Sequence, residues 1–137
     1  MQGYNVIVVY NETADQLLMC TRRKNLYKGL SNLVGGKIED DEDGISAAYR
    51  ELYEETSISQ NDIILTHLMD FTYYLDDCYV EVYVGKLNKF ITVIGDENDL
   101  YWSATDCNFF DVSKFAGEGN IGHIIEHVNL LKNKLLI

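Results

Sequence analysis

Glu51, Glu54 and Glu55 stand at positions i, i+3 and i+4 of the run GISAAYRELYEET, a spacing that gathers side chains on one face of an α-helix. Like charges at that spacing cost an isolated helix roughly 0.2–0.5 kcal/mol per pair. A cation set between them offsets that cost, and carboxylate oxygens are the ligands that hard divalent ions take. Arg50 directly precedes the trio and Glu42 lies upstream of it, while Gly35-Gly36 mark a place where backbone turns sharply or approaches a ligand closely. Arg22 and Arg23 add a local basic pair able to meet an anion. The carboxylates suit a cation and the basic pair an anion.

Those residues need elements to hold them. From Gly44 to Thr56, Ile45, Ala48, Tyr49 and Leu52 follow helical spacing and leave the glutamates on a different face, so one stripe packs while another meets solvent or ligand. Tyr4 to Tyr10 and Gln16 to Thr21, separated by the turn-rich Asn11 to Asp15, predict a hairpin with Arg22 and Arg23 just past its second strand. Asn32 to Val34 predicts a short strand leading into the double glycine, and Lys37 to Asp43 an acidic loop. Ile63 to Tyr74 and Tyr79 to Leu87 predict a second hairpin turning at Asp76-Asp77, and Leu100 to Trp102 a further short strand. Ile121 to Leu136 predicts one amphipathic helix with Lys132 and Lys134 near its end. Strands interleaved with two helices imply an α+β fold, a mixed sheet covered on both faces.

The chain has 137 residues, within the range of one domain, 1–137. Eleven basic residues against 22 acidic ones leave a net charge of −11, which argues against a polymeric nucleic acid partner because such a surface needs a basic stripe. The same charge repels a small phosphorylated ligand unless a divalent cation reverses the field locally. Cys20, Cys78 and Cys107 are scattered and odd in number, which fits a reducing compartment better than a disulfide framework. The N-terminal residues do not read as a signal peptide and no apolar run has the length of a membrane span, so a cytoplasmic protein with no membrane contact is expected. His67, His123 and His127 form no nucleophile triad, and the i, i+4 pair His123/His127 lacks the H-E-x-x-H order of a zinc site.

The run from Gly36 to Ile58 resembles the Nudix box of MutT-type hydrolases: Gly36, Glu42, Arg50, Glu51, Leu52, Glu54, Glu55 and Ile58 fill its fixed places, and Ser57 stands where the family has glycine. The departure concerns the helix end, where glycine takes a left-handed conformation without strain, so a shifted end is expected. The resemblance implies the Nudix-type α/β/α sandwich and Mg2+- or Mn2+-dependent hydrolysis of a diphosphate linked to another moiety. It makes Glu51, Glu54 and Glu55 metal ligands, adds the Gly35 carbonyl as a backbone ligand, and has Arg50 brace the loop through Glu42. The general base varies in the family, with Glu51 or a neighbour as the candidate. The plainer alternatives are a solvated acidic helix face and a surface ion pair.

Outside the box the resemblance gives weaker placements. Arg22, Arg23 and Lys37 occupy places suited to substrate phosphates, Asn32 a place where some relatives read a purine, and Glu118 and Asn120 a place of base contacts; capping the last helix is the plainer reading of Asn120. A further acidic ligand often precedes a tryptophan after the box: Glu97 before Trp102 is the candidate, with Asp96 and Asp99 competing. A small MutT-like nucleoside triphosphate pyrophosphohydrolase is the expected activity, with an oxidised purine such as 8-oxo-dGTP as one substrate. An ADP-ribose or dinucleoside polyphosphate hydrolase and a nucleotide-sensing module that does not cut remain as alternatives. Homodimers are common in the family.

Overall fold

Strand β1 (Gln2–Tyr10) carries the run VIVVY, apolar on both faces, which only a sheet covered on both sides can use. The computed structural model describes residues 1–95 and 98–137. Its further elements are β2 (Gln16–Thr21), β3 (Ser31–Asn32), α1 (Gly44–Thr56), β4 (Thr66–Tyr73), β5 (Cys78–Lys86), β6 (Asp99–Ala104), α2 (Asn120–Leu130) and α3 (Lys132–Leu135). The six strands form one mixed sheet in the order β3-β2-β1-β5-β4, with β6 on β2. β1 and β5 run parallel along their whole length, whereas β4/β5, β2/β3 and β2/β6 are antiparallel.

Alternation along the strands sorts the core into two layers. Val8, Tyr10, Leu17, Met19, Val82 and Val84 face Ile121, Ile124, Ile125 and Val128 of α2. Ile7, Val9, Leu18, Cys20 and Tyr83 face Ala48 and Leu52 of α1. The expected α/β/α sandwich is therefore what forms, with each helix laying one apolar stripe on one face.

Three expected elements change. β1 and β2 do make a hairpin, but its pairing is held at Tyr10↔Leu17, and the strands then diverge. Residues 31 to 38 fill the opening: Cys20 pairs with Asn32 on one side, and Ile7 bridges Val34 on the other. The expected strand Asn32 to Val34 is accordingly split, with Ser31–Asn32 on β2 and Val34 on β1. At the far end, the expected single helix breaks at Leu131 (φ −119°, ψ 16°) into α2 and α3. A straight continuation would carry the apolar tail away from the sheet; the break returns Leu135 and Leu136 to the core and brings α3 against β5.

Helix α1 spans the range its periodicity predicts. Asp43 caps it, accepting from the Ser46 N–H at 2.9 Å. At the other end Ser57 adopts the left-handed conformation (φ 65°, ψ 8°) that glycine holds in the family pattern, and its N–H closes on the Tyr53 carbonyl at 2.9 Å. The helix end is thus not displaced; the serine bears the strain instead. Among the described residues no helix is long and apolar enough to cross a membrane.

Candidate functional site

Gly35 and Gly36 lie between β1 and α1, where nothing bulkier fits. A Cβ on Gly36 would sit 2.4 Å from the Glu51 carboxylate, and one on Gly35 (φ 151°) would sit 2.1 Å from the Asn5 carbonyl oxygen. The glycines therefore let a helix carboxylate rest directly on the loop backbone.

Arg50 ties this arrangement together. Its Nε and Nη2 meet the two Glu42 carboxylate oxygens at 2.9 and 2.5 Å, a bidentate pair. Nη1 reaches Glu51 at 3.0 Å and Glu54 at 3.2 Å, and Nη2 also donates to the Lys37 carbonyl at 3.0 Å. One guanidinium thus joins the acidic loop, the glycine loop and two of the three helix glutamates. Glu42 is held down to a pKa of about 2, first by the hydrogen bond from Arg50 and then by the Glu39 N–H. Glu51 behaves in the opposite way: burial raises its pKa above the ordinary carboxylate value against the pull of Arg50, and the charges of Glu54 and Glu42 push the same way as burial. A half-buried carboxylate among like charges is where a cation gains most.

Glu55 lies on the side of α1 nearer β2. Burial raises the Cys20 thiol to a pKa of about 11, and the charges of Glu55 and Arg22 act on that thiol in opposite senses. Arg22, two residues beyond Cys20, therefore belongs to the α1 face of the sheet with Glu55, and its buried Nε has no partner among the described residues. Arg23 points elsewhere and pairs with Asp99 at the start of β6. Asp99, a competing candidate for the extra acidic ligand, is thus paired with Arg23 at the surface, while Glu97 and Asp96 fall outside the described residues. The Lys37 side chain is exposed beside the glycine loop. Among the described residues no three acidic, histidine or cysteine side chains converge as a ready-made cation cage; Glu51 and Glu54 both turn to Arg50.

On the other face of the sheet a cavity of about 300 Å³ opens between β3, the β4/β5 hairpin and the start of α2. Asn32, Glu118 and Asn120, distant in sequence, all line it, with Val6, Leu33 and Phe71 among its apolar walls. Two backbone bonds dock the loop before α2 on β3, Ser31 N–H to the Lys114 carbonyl and Ala116 N–H to the Ser31 carbonyl, both 2.9 Å. The capping reading of Asn120 is overturned: Gly119 occupies the cap, no side chain caps α2, and Asn120 Nδ2 donates to the Tyr73 hydroxyl. Glu118 accepts from the Tyr27 hydroxyl at 2.7 and 2.8 Å.

Tyr27 and Tyr73 carry no sequence signal for this role, since only the fold sets them beside Glu118 and Asn120. Asn5 was also missed, although a polar residue interrupting an apolar strand is a legible flag. It is 2 % exposed, and its Oδ1 accepts from the Gly36 N–H at 3.1 Å.

The NUDIX domain model matches residues 1–104. Searched against curated proteins, the sequence finds no match. Solved structures with the same fold include MutT of Aliivibrio salmonicida and Vibrio cholerae (17 % identity, TM-score 0.73, covering 94 % of this chain and 98 % of that one). A Caenorhabditis elegans Ap4A hydrolase binary complex is similar at 16 % identity and TM-score 0.77, covering 97 % and 98 %. The NUDIX domain of Shewanella oneidensis NrtR, complexed with ADP ribose, is similar at 16 % identity and TM-score 0.71, covering 93 % and 86 %. At these identities the structures speak to the fold, and with a domain model spanning three quarters of the sequence and the box carboxylates gathered around Arg50, the chain belongs to the Nudix family of pyrophosphohydrolases.

Proposed function

We propose that this chain hydrolyses the pyrophosphate bond of a nucleoside triphosphate with Mg2+ or Mn2+, holding the cation at Glu51, Glu54, Glu55 and the Gly35 carbonyl. The observation that carries the reading is Glu51: a half-buried carboxylate with a raised pKa, seated on the Gly36 backbone beside two further acidic groups. The donors suit a hard divalent ion in kind, all of them oxygens. Gathering them requires Glu54 to swing away from Arg50 on its flexible side chain, with Arg50 keeping its bidentate hold on Glu42. When bound, such an ion neutralises phosphoryl oxygens and makes coordinated water a better nucleophile. Arg50 orients Glu51; Arg22 and Lys37 meet phosphate oxygens; Glu51 or a neighbouring carboxylate accepts the proton of the attacking water. Glu97 remains a candidate further ligand by its sequence position alone.

The nucleobase belongs in the 300 Å³ cavity lined by Asn32, Glu118 and Asn120. Asn32 lines that cavity and Gly36, four residues on, touches Glu51, a chain reach of at most about 14 Å. Asn32 Oδ1 is taken by the Leu33 N–H, which leaves its amide as donor, whereas Asn120 donates to Tyr73 and keeps Oδ1 as acceptor. With the Glu118 carboxylate the lining is rich in acceptors, which favours a base edge rich in N–H donors, as guanine and 8-oxoguanine present.

Purified protein incubated with Mg2+ and a nucleotide panel, products resolved by chromatography, tests the reading. Release of pyrophosphate with a nucleoside monophosphate is expected, highest for 8-oxo-dGTP and guanine nucleotides; no turnover of any member sinks it. The panel includes ADP-ribose and Ap4A, since one fold relative is complexed with ADP ribose and another is an Ap4A hydrolase. Turnover of either in preference to triphosphates moves the substrate while keeping the carboxylate site.

A further inference from the structure

Asn5 occupies the one position of the α1-facing side of β1 where a polar side chain interrupts the apolar series continued by Ile7 and Val9. The segment from Val34 to Ile38 runs antiparallel along this edge of β1, with backbone bonds Ile7 N–H to Val34 O (2.8 Å), Asn5 N–H to Gly36 O (2.8 Å) and Ile38 N–H to Gly3 O (2.9 Å). A regular ladder would complete the Asn5/Gly36 pair with a bond from the Gly36 N–H to the Asn5 carbonyl. That bond is replaced: the Gly36 N–H goes to Asn5 Oδ1 at 3.1 Å. Gly35 is rotated out of the ladder at φ 151°, where a Cβ would sit 2.1 Å from the Asn5 carbonyl oxygen, and among the described residues no donor is bonded to the Gly35 carbonyl.

We propose that Asn5 is a positioning residue for the cation site, its side-chain oxygen standing in for a ladder carbonyl so that Gly35-Gly36 leave the sheet and the Gly35 carbonyl is free to bind the ion. The inference rests on the metal site proposed above. Because the Gly36 N–H needs an acceptor, the Asn5 oxygen and nitrogen are assigned without ambiguity, and Nδ2 is a buried donor with no partner among the described residues. A buried orphan donor costs stability, so a role at the site accounts for keeping asparagine where valine would pack.

Asn5→Val separates positioning from packing. Valine suits a buried strand and removes the orphan Nδ2 donor but leaves the Gly36 N–H without its acceptor, so thermal stability without metal is expected to change little. Gly36 amide exchange, read by NMR in metal-free protein, should accelerate at least tenfold. Mn2+ affinity, read by calorimetry without substrate, should fall about 10- to 100-fold, the range for groups that orient metal ligands. Asn5→Asp keeps an acceptor for the Gly36 N–H and should restore its protection. Unchanged Mn2+ affinity in Asn5→Val, or unprotected Gly36 in Asn5→Asp, overturns the proposal. Wild-type protein that binds no divalent ion overturns the metal site itself, and this inference with it, an outcome distinguishable from the other two.

Discussion

Glu51 and Glu42 are both carboxylates bound to Arg50, yet their surroundings move them in opposite directions. Glu42 is an ordinary carboxylate in the unfolded chain and falls to about 2 in the fold, so it contributes stability above pH of about 4.5 that is lost as pH drops toward 2. Urea melts at pH 6 and pH 3 should show that loss in the wild type and a smaller one in Glu42→Gln. Glu51, raised by burial, has the reverse linkage: its protonated form favours the fold, and that contribution disappears as pH rises through its folded pKa. A cation at the proposed site relieves the ionised Glu51 at neutral pH. Glu51→Gln and Glu55→Gln should each lower kcat by about 100-fold or more, the scale for lost stabilisation of developing charge. Steady-state assays at saturating Mg2+ check this, and a loss under threefold in both would remove these residues from the chemistry.

At the scale of elements, α1 is both a structural and a chemical part. Its Ala48/Leu52 stripe packs on Ile7, Val9 and Leu18, and its other side carries Arg50 and the glutamates. Its strained point is Ser57, a non-glycine residue at φ 65°. Left-handed backbone costs a residue with Cβ roughly 1–2 kcal/mol, part of which glycine gives back in unfolded-state entropy. Ser57→Gly is therefore expected to stabilise the protein by about 0.5–1 kcal/mol, visible as a higher urea midpoint at unchanged m-value, with kcat unaltered. A lower midpoint would mean that the serine makes contacts worth more than the strain. The loop entering α2 plays the comparable part on the opposite face: Gly117, Glu118 and Gly119 all have positive φ, and that tight turn sets Glu118 beside Tyr27.

At the scale of the molecule, a chain of net charge −11 must bring a polyanion to an acidic helix. The basic residues available locally, Arg22 and Lys37, are fewer than the carboxylates they adjoin, an imbalance that the proposed divalent cation would offset. Millimolar Mg2+ should raise the melting temperature at pH 7.5 by binding the folded state alone. The rise should shrink at pH 5, where protons compete for Glu51, and vanish in a Glu51→Gln/Glu55→Gln variant. An equal rise in that variant would assign the stabilisation to general screening. The layered fold puts the carboxylates on the α1 face and the proposed base cavity on the α2 face, joined through the residues from Asn32 to Gly36.

The sequence by itself determined the local structure and the chemistry of the box. Helix α1 follows from apolar spacing within a short stretch, and the resemblance of the box implied the Arg50–Glu42 pair; the contact of Gly36 with Glu51 appears only in the fold. Tertiary structure alone decided what depends on long-range pairing: the divergence of β1 and β2, the break at Leu131, the meeting of Asn32 with Glu118 and Asn120, and the release of Asn120 from its expected cap. It also decided that Arg23 pairs with Asp99 while Arg22 stays on the α1 face, because strand alternation fixes a side only once the sheet has assembled. Asn5 belongs to both accounts. Its polarity in an apolar strand is written in the sequence, but its bond to Gly36 exists only because residues 34 to 38 fold back along β1.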